Sequence, residues 1–190
     1  MKSSIYKAER LCAVKRKAKG FTLVELLVTI AIVAMISAIA LPSLNGFLVQ
    51  LRVDNEISEL QRLLLTARNT AINTGKDTSV CPLKSSGTAC TGGSDWTGAI
   101  GVLNEDGVIK EKAAINSSDK LLYGFTDITY TATGQTLANR AGTFSYCPKD
   151  HSDLNRGIEI AINGRTYITA DTDNDGKDEN RSGSEISCSS

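Results

Sequence analysis

Residues 21–41 read FTLVELLVTIAIVAMISAIAL, and only Thr22, Glu25, Thr29 and Ser37 interrupt an otherwise apolar run. As a helix rising about 1.5 Å per residue, this stretch reaches roughly 30 Å, the thickness of a bilayer's hydrocarbon core. It predicts a membrane-spanning helix. The helical period does not stop there: Val49, Val53, Ile57, Leu60, Leu64, Ala67 and Ala71 recur at spacings of three and four, and Arg52, Asp54, Glu56, Glu59, Arg62 and Arg68 fill other positions. Residues 42–75 are therefore expected to continue as an amphipathic helix that ends near Asn73-Thr74-Gly75, with Pro42 kinking it by removing one hydrogen bond.

The residues ahead of the apolar run differ in charge from those after it. Residues 1–20 hold seven of the 21 Lys+Arg and one of the 21 Asp+Glu, so in a formally neutral chain the remainder carries an acidic excess. Cations ahead of a spanning helix stay on the cytoplasmic side, which places the acidic C-terminal body outside. A cleaved secretory signal is the rival reading, with Ala38-Ile39-Ala40 as its small-x-small peptidase site. That rival accounts neither for Glu25, which costs on the order of 3 kcal/mol at mid-membrane unless paired, nor for the continued helix.

The stretch Lys19-Gly20-Phe21-Thr22-Leu23-Val24-Glu25-Leu26-Leu27-Val28 resembles the class III leader junction of type IV pilins and type II secretion pseudopilins. The resemblance implies that a membrane prepilin peptidase cuts after Gly20 and methylates the new N-terminal Phe21. Glu25 and Pro42 match that family's buried glutamate and kinking proline, two residues of assembly. In a filament the Glu25 carboxylate would neutralise the N-terminal ammonium of an adjacent subunit, offsetting its desolvation. The organisation expected is a leader over 1–20, a transmembrane helix over 21–41, an amphipathic continuation over 42–75 and an exported β-rich head over 76–190.

In the head, short apolar alternations at 100–103, 108–109, 128–131, 144–147 and 158–162 are separated by Gly, Asn, Asp and Ser. Asn163-Gly164, between two alternating runs, predicts a two-residue hairpin with a type I′ turn. Ile158, Ile160 and Ile162 then share one face, turned to Val53, Ile57, Leu60 and Leu64. The fold class expected is α+β, with a long N-terminal helix packed on an antiparallel β-sheet head.

Cys12 leaves with the leader, and four cysteines stay in the exported body: Cys81, Cys90, Cys147 and Cys188. An even count in an oxidising compartment argues for disulfides, with three pairings open. Cys81 with Cys90, closing a small loop, and Cys147 with Cys188, tying back the C-terminus, is the pairing favoured over a zinc site. Asp171-Thr172-Asp173-Asn174-Asp175-Gly176 resembles the start of an EF-hand loop, in which alternate carboxylates converge on Ca²⁺. Its twelfth position is Ser182 instead of a bidentate glutamate, and Asp178 or Glu179 would have to supply oxygen from elsewhere. A polar turn with no ion stands beside that reading.

Cys147, Arg156-Gly157, Gly164-Arg165, residues 170–176 and Cys188 together resemble the C-terminal region of GspH/FimT-type minor pilins and pseudopilins. Some members bind DNA through a Gly-Arg-x-Arg element; Gly164 and Arg165 fit it, whereas Tyr167 stands in place of the second arginine. With an acidic body, DNA is a candidate partner that is not favoured. The chain has one histidine and no Gly-x-Ser-x-Gly elbow or phosphate-binding glycine loop, so no enzyme is expected and no cofactor is required, Ca²⁺ being the one candidate. The leading expectation is a minor pilin or pseudopilin that helps to initiate or cap a type IV pilus or type II secretion pseudopilus. Its partners would be prepilin peptidase, other minor and major pilins or pseudopilins, and inner-membrane lipid before assembly. A DNA-binding minor pilin and a cleaved, secreted β-rich enzyme are the alternatives.

Overall fold

The computed structural model describes residues 20–188, with the side chains of residues 39–43 and 138 outside that description; the leader before Gly20 also lies outside it. Two compact units divide the chain, residues 1–42 and residues 43–190. One helix, α1 (Leu23–Thr74), contributes to both, and Pro42 lies within it at the end of the first unit.

Helix α1 begins where Thr22 Oγ1 accepts the Glu25 backbone N–H at 3.2 Å, an N-cap contact that satisfies one of the unpaired amides of the first turn. It stops after Thr74 because Gly75 adopts φ 68° and donates its N–H to the Ala71 carbonyl at 3.0 Å. The apolar stripe of its second half is buried as the spacing predicts, and Leu63 joins it.

The head holds two four-stranded antiparallel sheets, where a single sheet was expected. The first comprises β1 (Thr78–Pro82), β2 (Ile100–Asn104), β3 (Gly107–Lys112) and β5 (Ile128–Tyr130), in spatial order β3-β2-β1-β5. The second comprises β4 (Lys120–Leu122), β6 (Gly142–Cys147), β7 (Arg156–Ile160) and β8 (Thr166–Ile168), in order β4-β6-β7-β8. Register sets Val80 opposite Val102 and Ile128 in one sheet, and Phe144 opposite Ile158 in the other. These side chains form a single core with the stripe of α1. Trp96 is buried within it, edge-on to Tyr123 and Phe144, and its indole N–H donates to the Phe125 carbonyl at 2.9 Å.

The β7–β8 connection corrects the expected type I′ turn. Gly164 N–H donates to Ala161 O at 2.8 Å and Ala161 N–H to Arg165 O at 3.0 Å, which makes a three-residue loop over 162–164. Gly164 has φ 75° while Asn163 does not enter the left-handed region, the pattern of a type I turn closed by a glycine bulge. The extra residue rotates the chain, so Ile162 is 56% exposed and leaves the face that Ile158 and Ile160 share. Tertiary packing supports this tip: a Cβ on Gly164 would stand 1.9 Å from the Gly134 carbonyl, which also accepts the Arg68 Nε–H at 2.9 Å. Gly164→Ala should therefore destabilise the head by about 2–4 kcal/mol in urea unfolding. Asn163→Ala, which removes one exposed acceptor from Arg165 N–H, should cost about 1 kcal/mol or less.

Candidate functional site

In the first unit the described apolar side chains are exposed. Phe21, Leu23, Val24, Leu26, Leu27 and Val28 are each between 51% and 78% exposed, and successive helical positions step by about 100°, so apolar surface surrounds the helix. A helix apolar on every side requires lipid or other helices around it. Glu25 sits in the first turn, exposed, where the positive end of the helix dipole favours a carboxylate. Gly20 and Phe21, the expected processing junction, are exposed just ahead of the helix. Among the described residues no helix is long and apolar enough to cross a membrane. Residues 23–38 rise only about 24 Å, and the expected span depends on residues 39–41, whose side chains lie outside the description.

In the second unit the charged positions of α1 flank the buried stripe and hold strands and loops of the head. Arg52 pairs with the fully buried Asp119 carboxylate at 3.1 Å. The same carboxylate accepts Tyr146 O–H at 2.6 Å and Lys149 N–H at 3.1 Å. Burial, with that carboxylate as its acceptor, pushes the Tyr146 phenol far above the ordinary tyrosine range. Lys112, also buried, pairs with Glu56 and lies 3.6 Å from Glu59, and Arg156 bridges Asp54 of the helix to Asp178 of the C-terminal segment. Sequence spacing placed these helix residues on a polar face without their partners.

The four body cysteines form two bridges, Cys81–Cys90 and Cys147–Cys188. The second closes the C-terminal segment onto β6. Within that segment, carboxylate oxygens of Asp171, Asp173, Asp175 and Glu179 lie within 4.8 Å of one another, an arrangement that an ion could occupy. Asp171 accepts the backbone N–H groups of Asn174 and Gly176, Asp173 that of Asp175, and Asp175 that of Lys177. Glu179 arrives from a different direction, through an isolated bridge to Ala170, and was one of two oxygen sources weighed from sequence. The other, Asp178, instead accepts Thr169 O–H at 2.9 Å and faces Arg156. Lys177, whose ammonium the Glu185 carboxylate holds above the ordinary lysine range, stands 3.9 Å from Asp175.

The cations that could join Arg165 in a polyanion surface, Arg140, Lys149, Arg156 and Arg181, are divided. Arg165 and Lys149 are exposed, but Arg140 pairs with Asp127 at 3.1 Å and Arg156 with Asp54 and Asp178. Arg181 lies over the Tyr167 ring, 4.3 Å from its centroid, so the residue in place of the second arginine of the Gly-Arg-x-Arg element is an aromatic platform.

Residues 15–41 match the prokaryotic N-terminal methylation motif, and residues 56–164 match the family described as type II transport protein GspH. A fimbrial protein of Moraxella nonliquefaciens is 29% identical over 129 residues, taking in 65% of this chain and 77% of that protein. The type IV major fimbrial protein FimA of Dichelobacter nodosus is 35% identical over 63 residues, 33% of this chain and 40% of that protein. The crystal structure of the type IV minor pilin FimU of Pseudomonas aeruginosa shares the fold, with a TM-score of 0.53 at 19% identity over 65% of this chain and 92% of that one.

Non-specific DNA affinity arises from counterions released by several clustered cations, with a salt slope of about −0.9 per phosphate neutralised. With Arg140 and Arg156 committed to carboxylates, micromolar protein should not shift duplex DNA at physiological salt in electrophoresis. A shift that disappears in Arg165→Ala would instead assign DNA capture to the hairpin.

Proposed function

The chain belongs to the GspH family of type II transport proteins, a family of structural pilins and pseudopilins and not of enzymes, and from that premise we propose that it is a low-copy subunit that helps to initiate or cap a type IV pilus or the related type II secretion pseudopilus. The observation that carries the proposal is the first half of α1, whose described apolar side chains are exposed on every side, with one carboxylate in its first turn.

On this reading residues 1–20 remain cytoplasmic until prepilin peptidase removes them and methylates Phe21, the step for which the N-terminal methylation motif is named. Residues 21–41 wait in the inner membrane, with the head outside. In the filament other pilins or pseudopilins replace lipid around the helix, and Glu25 meets the N-terminal ammonium of a neighbouring subunit, a pair that offsets the cost of leaving water. The head supplies surface shape and no chemistry, so the work requires no cofactor.

Peptide mass spectrometry of the membrane fraction should find a mature chain beginning with N-methylated Phe21. A chain beginning at Leu41 would identify a cleaved secretory signal and remove the filament reading. Glu25→Ala should leave cleavage after Gly20 intact and reduce incorporation into filaments, scored by immunoblot of sheared or detergent-extracted filaments; normal incorporation would eliminate the charge pairing.

A further inference from the structure

The C-terminal loop lies beyond the segment matched to the GspH family, which ends at residue 164. Acidic clusters are common on surfaces, and the three exposed aspartates alone would be one more. Glu179 differs from them. Its residue is 5% exposed, yet its carboxylate belongs to the same cluster within 4.8 Å. Its Oε2 accepts both the backbone N–H and the hydroxyl of Thr172 at 2.7 Å, while its Oε1 is buried and has no hydrogen-bond partner. A buried carboxylate oxygen without a donor is costly, and neighbouring carboxylates make it costlier by repulsion. The nearest described ammonium to the aspartates, that of Lys177, is held at 2.9 Å by Glu185.

We propose that Asp171, Asp173, Asp175 and Glu179 form a calcium site, with Glu179 Oε1 supplying the ligand that Ser182 cannot. The donor set is oxygen only, which suits a hard cation and excludes the nitrogen and sulfur preferences of zinc or copper. Two oxygens bound to one Ca²⁺ at about 2.3–2.6 Å can be no more than about 5 Å apart, so an envelope of 4.8 Å fits without rearrangement. Mg²⁺, with ligands at about 2.0–2.1 Å, would require the loop to contract to about 4.2 Å across. Glu179 occupies the ninth loop position and comes from the bridge to Ala170, so a bound ion would join the loop tip to the chain leaving β8. The site would therefore hold the segment between β8 and the Cys147–Cys188 bridge, independently of the filament reading above.

The test uses the full chain in detergent, stripped with chelator and titrated calorimetrically with CaCl₂ and separately with MgCl₂. One Ca²⁺ per chain is expected, with a dissociation constant of about 10⁻⁴ to 10⁻³ M as in extracellular calcium modules, and Mg²⁺ weaker by about tenfold or more. Asp173→Asn with Asp175→Asn retains the turn acceptors while removing two charges, and Glu179→Gln removes the buried one; each variant should lose calcium affinity by about tenfold or more. Thermal unfolding in chelator should be unchanged in the asparagine variant, and calcium should raise the midpoint of the wild type only. Absence of saturable calcium binding by the wild type, equal Mg²⁺ affinity, or variants that bind calcium as the wild type does would each overturn the assignment.

Discussion

The stripe from Val49 to Ala71 on α1 is the constraint on which the head depends. The two four-stranded sheets contribute buried apolar residues to one core. The stripe supplies a common third surface. Leu64, Ala67 and Ala71 are fully buried in the core that the helix shares with the strands. Burying each of the larger side chains contributes about 1.5–3 kcal/mol, which is why helix and sheets form one core. Trp96 can be part of that core only because Phe125 O accepts its N–H.

Polar positions beside the stripe do something burial cannot. Hydrophobic contact is tolerant of sliding, whereas Arg52–Asp119, Glu56–Lys112 and Asp54–Arg156 fix three points along the helix. A slip of one turn, about 5.4 Å, would separate these pairs and leave the buried Asp119 carboxylate without its cation. Desolvation consumes much of the attraction in such pairs, so their net stabilisation is small. Their effect is to make one register far better than its neighbours.

Much of this architecture was legible because period carries information over long runs. The stripe spacing identified the buried residues of α1, and Gly75 marked its end. Strands β2, β3 and β5 to β8 also contain the alternations read from sequence. Strand β1 was missed, since Thr78-Ser79-Val80-Cys81-Pro82 has little alternation and is buried at most of its positions, as befits a strand paired on both sides. The two-sheet division was not legible because β1 pairs with β5 across long intervening segments. At Asn163-Gly164 the local dipeptide suggested one turn, and the approach of Gly134 O and Arg68 accompanies another. The aspartates of the C-terminal loop are a local pattern and were visible. The choice of Glu179 over Asp178 was not, because it depends on which carboxylate Arg156 and Thr169 engage.

The two units of the chain meet different demands for cover. Residues 43–190 bury their apolar stripe against their own sheets, and the described apolar side chains of the first unit are exposed. If lipid and then neighbouring helices supply that cover, the apolar side chains exchange one apolar surrounding for another, so the hydrophobic effect hardly distinguishes membrane from filament. What distinguishes them is close packing and the fate of Glu25. A carboxylate in lipid has no fixed partner, whereas a second chain can present an N-terminal ammonium at the depth where the carboxylate lies. On the proposed filament reading, the one carboxylate in this apolar stretch would supply direction and register to an association that apolar surface alone would leave unspecified.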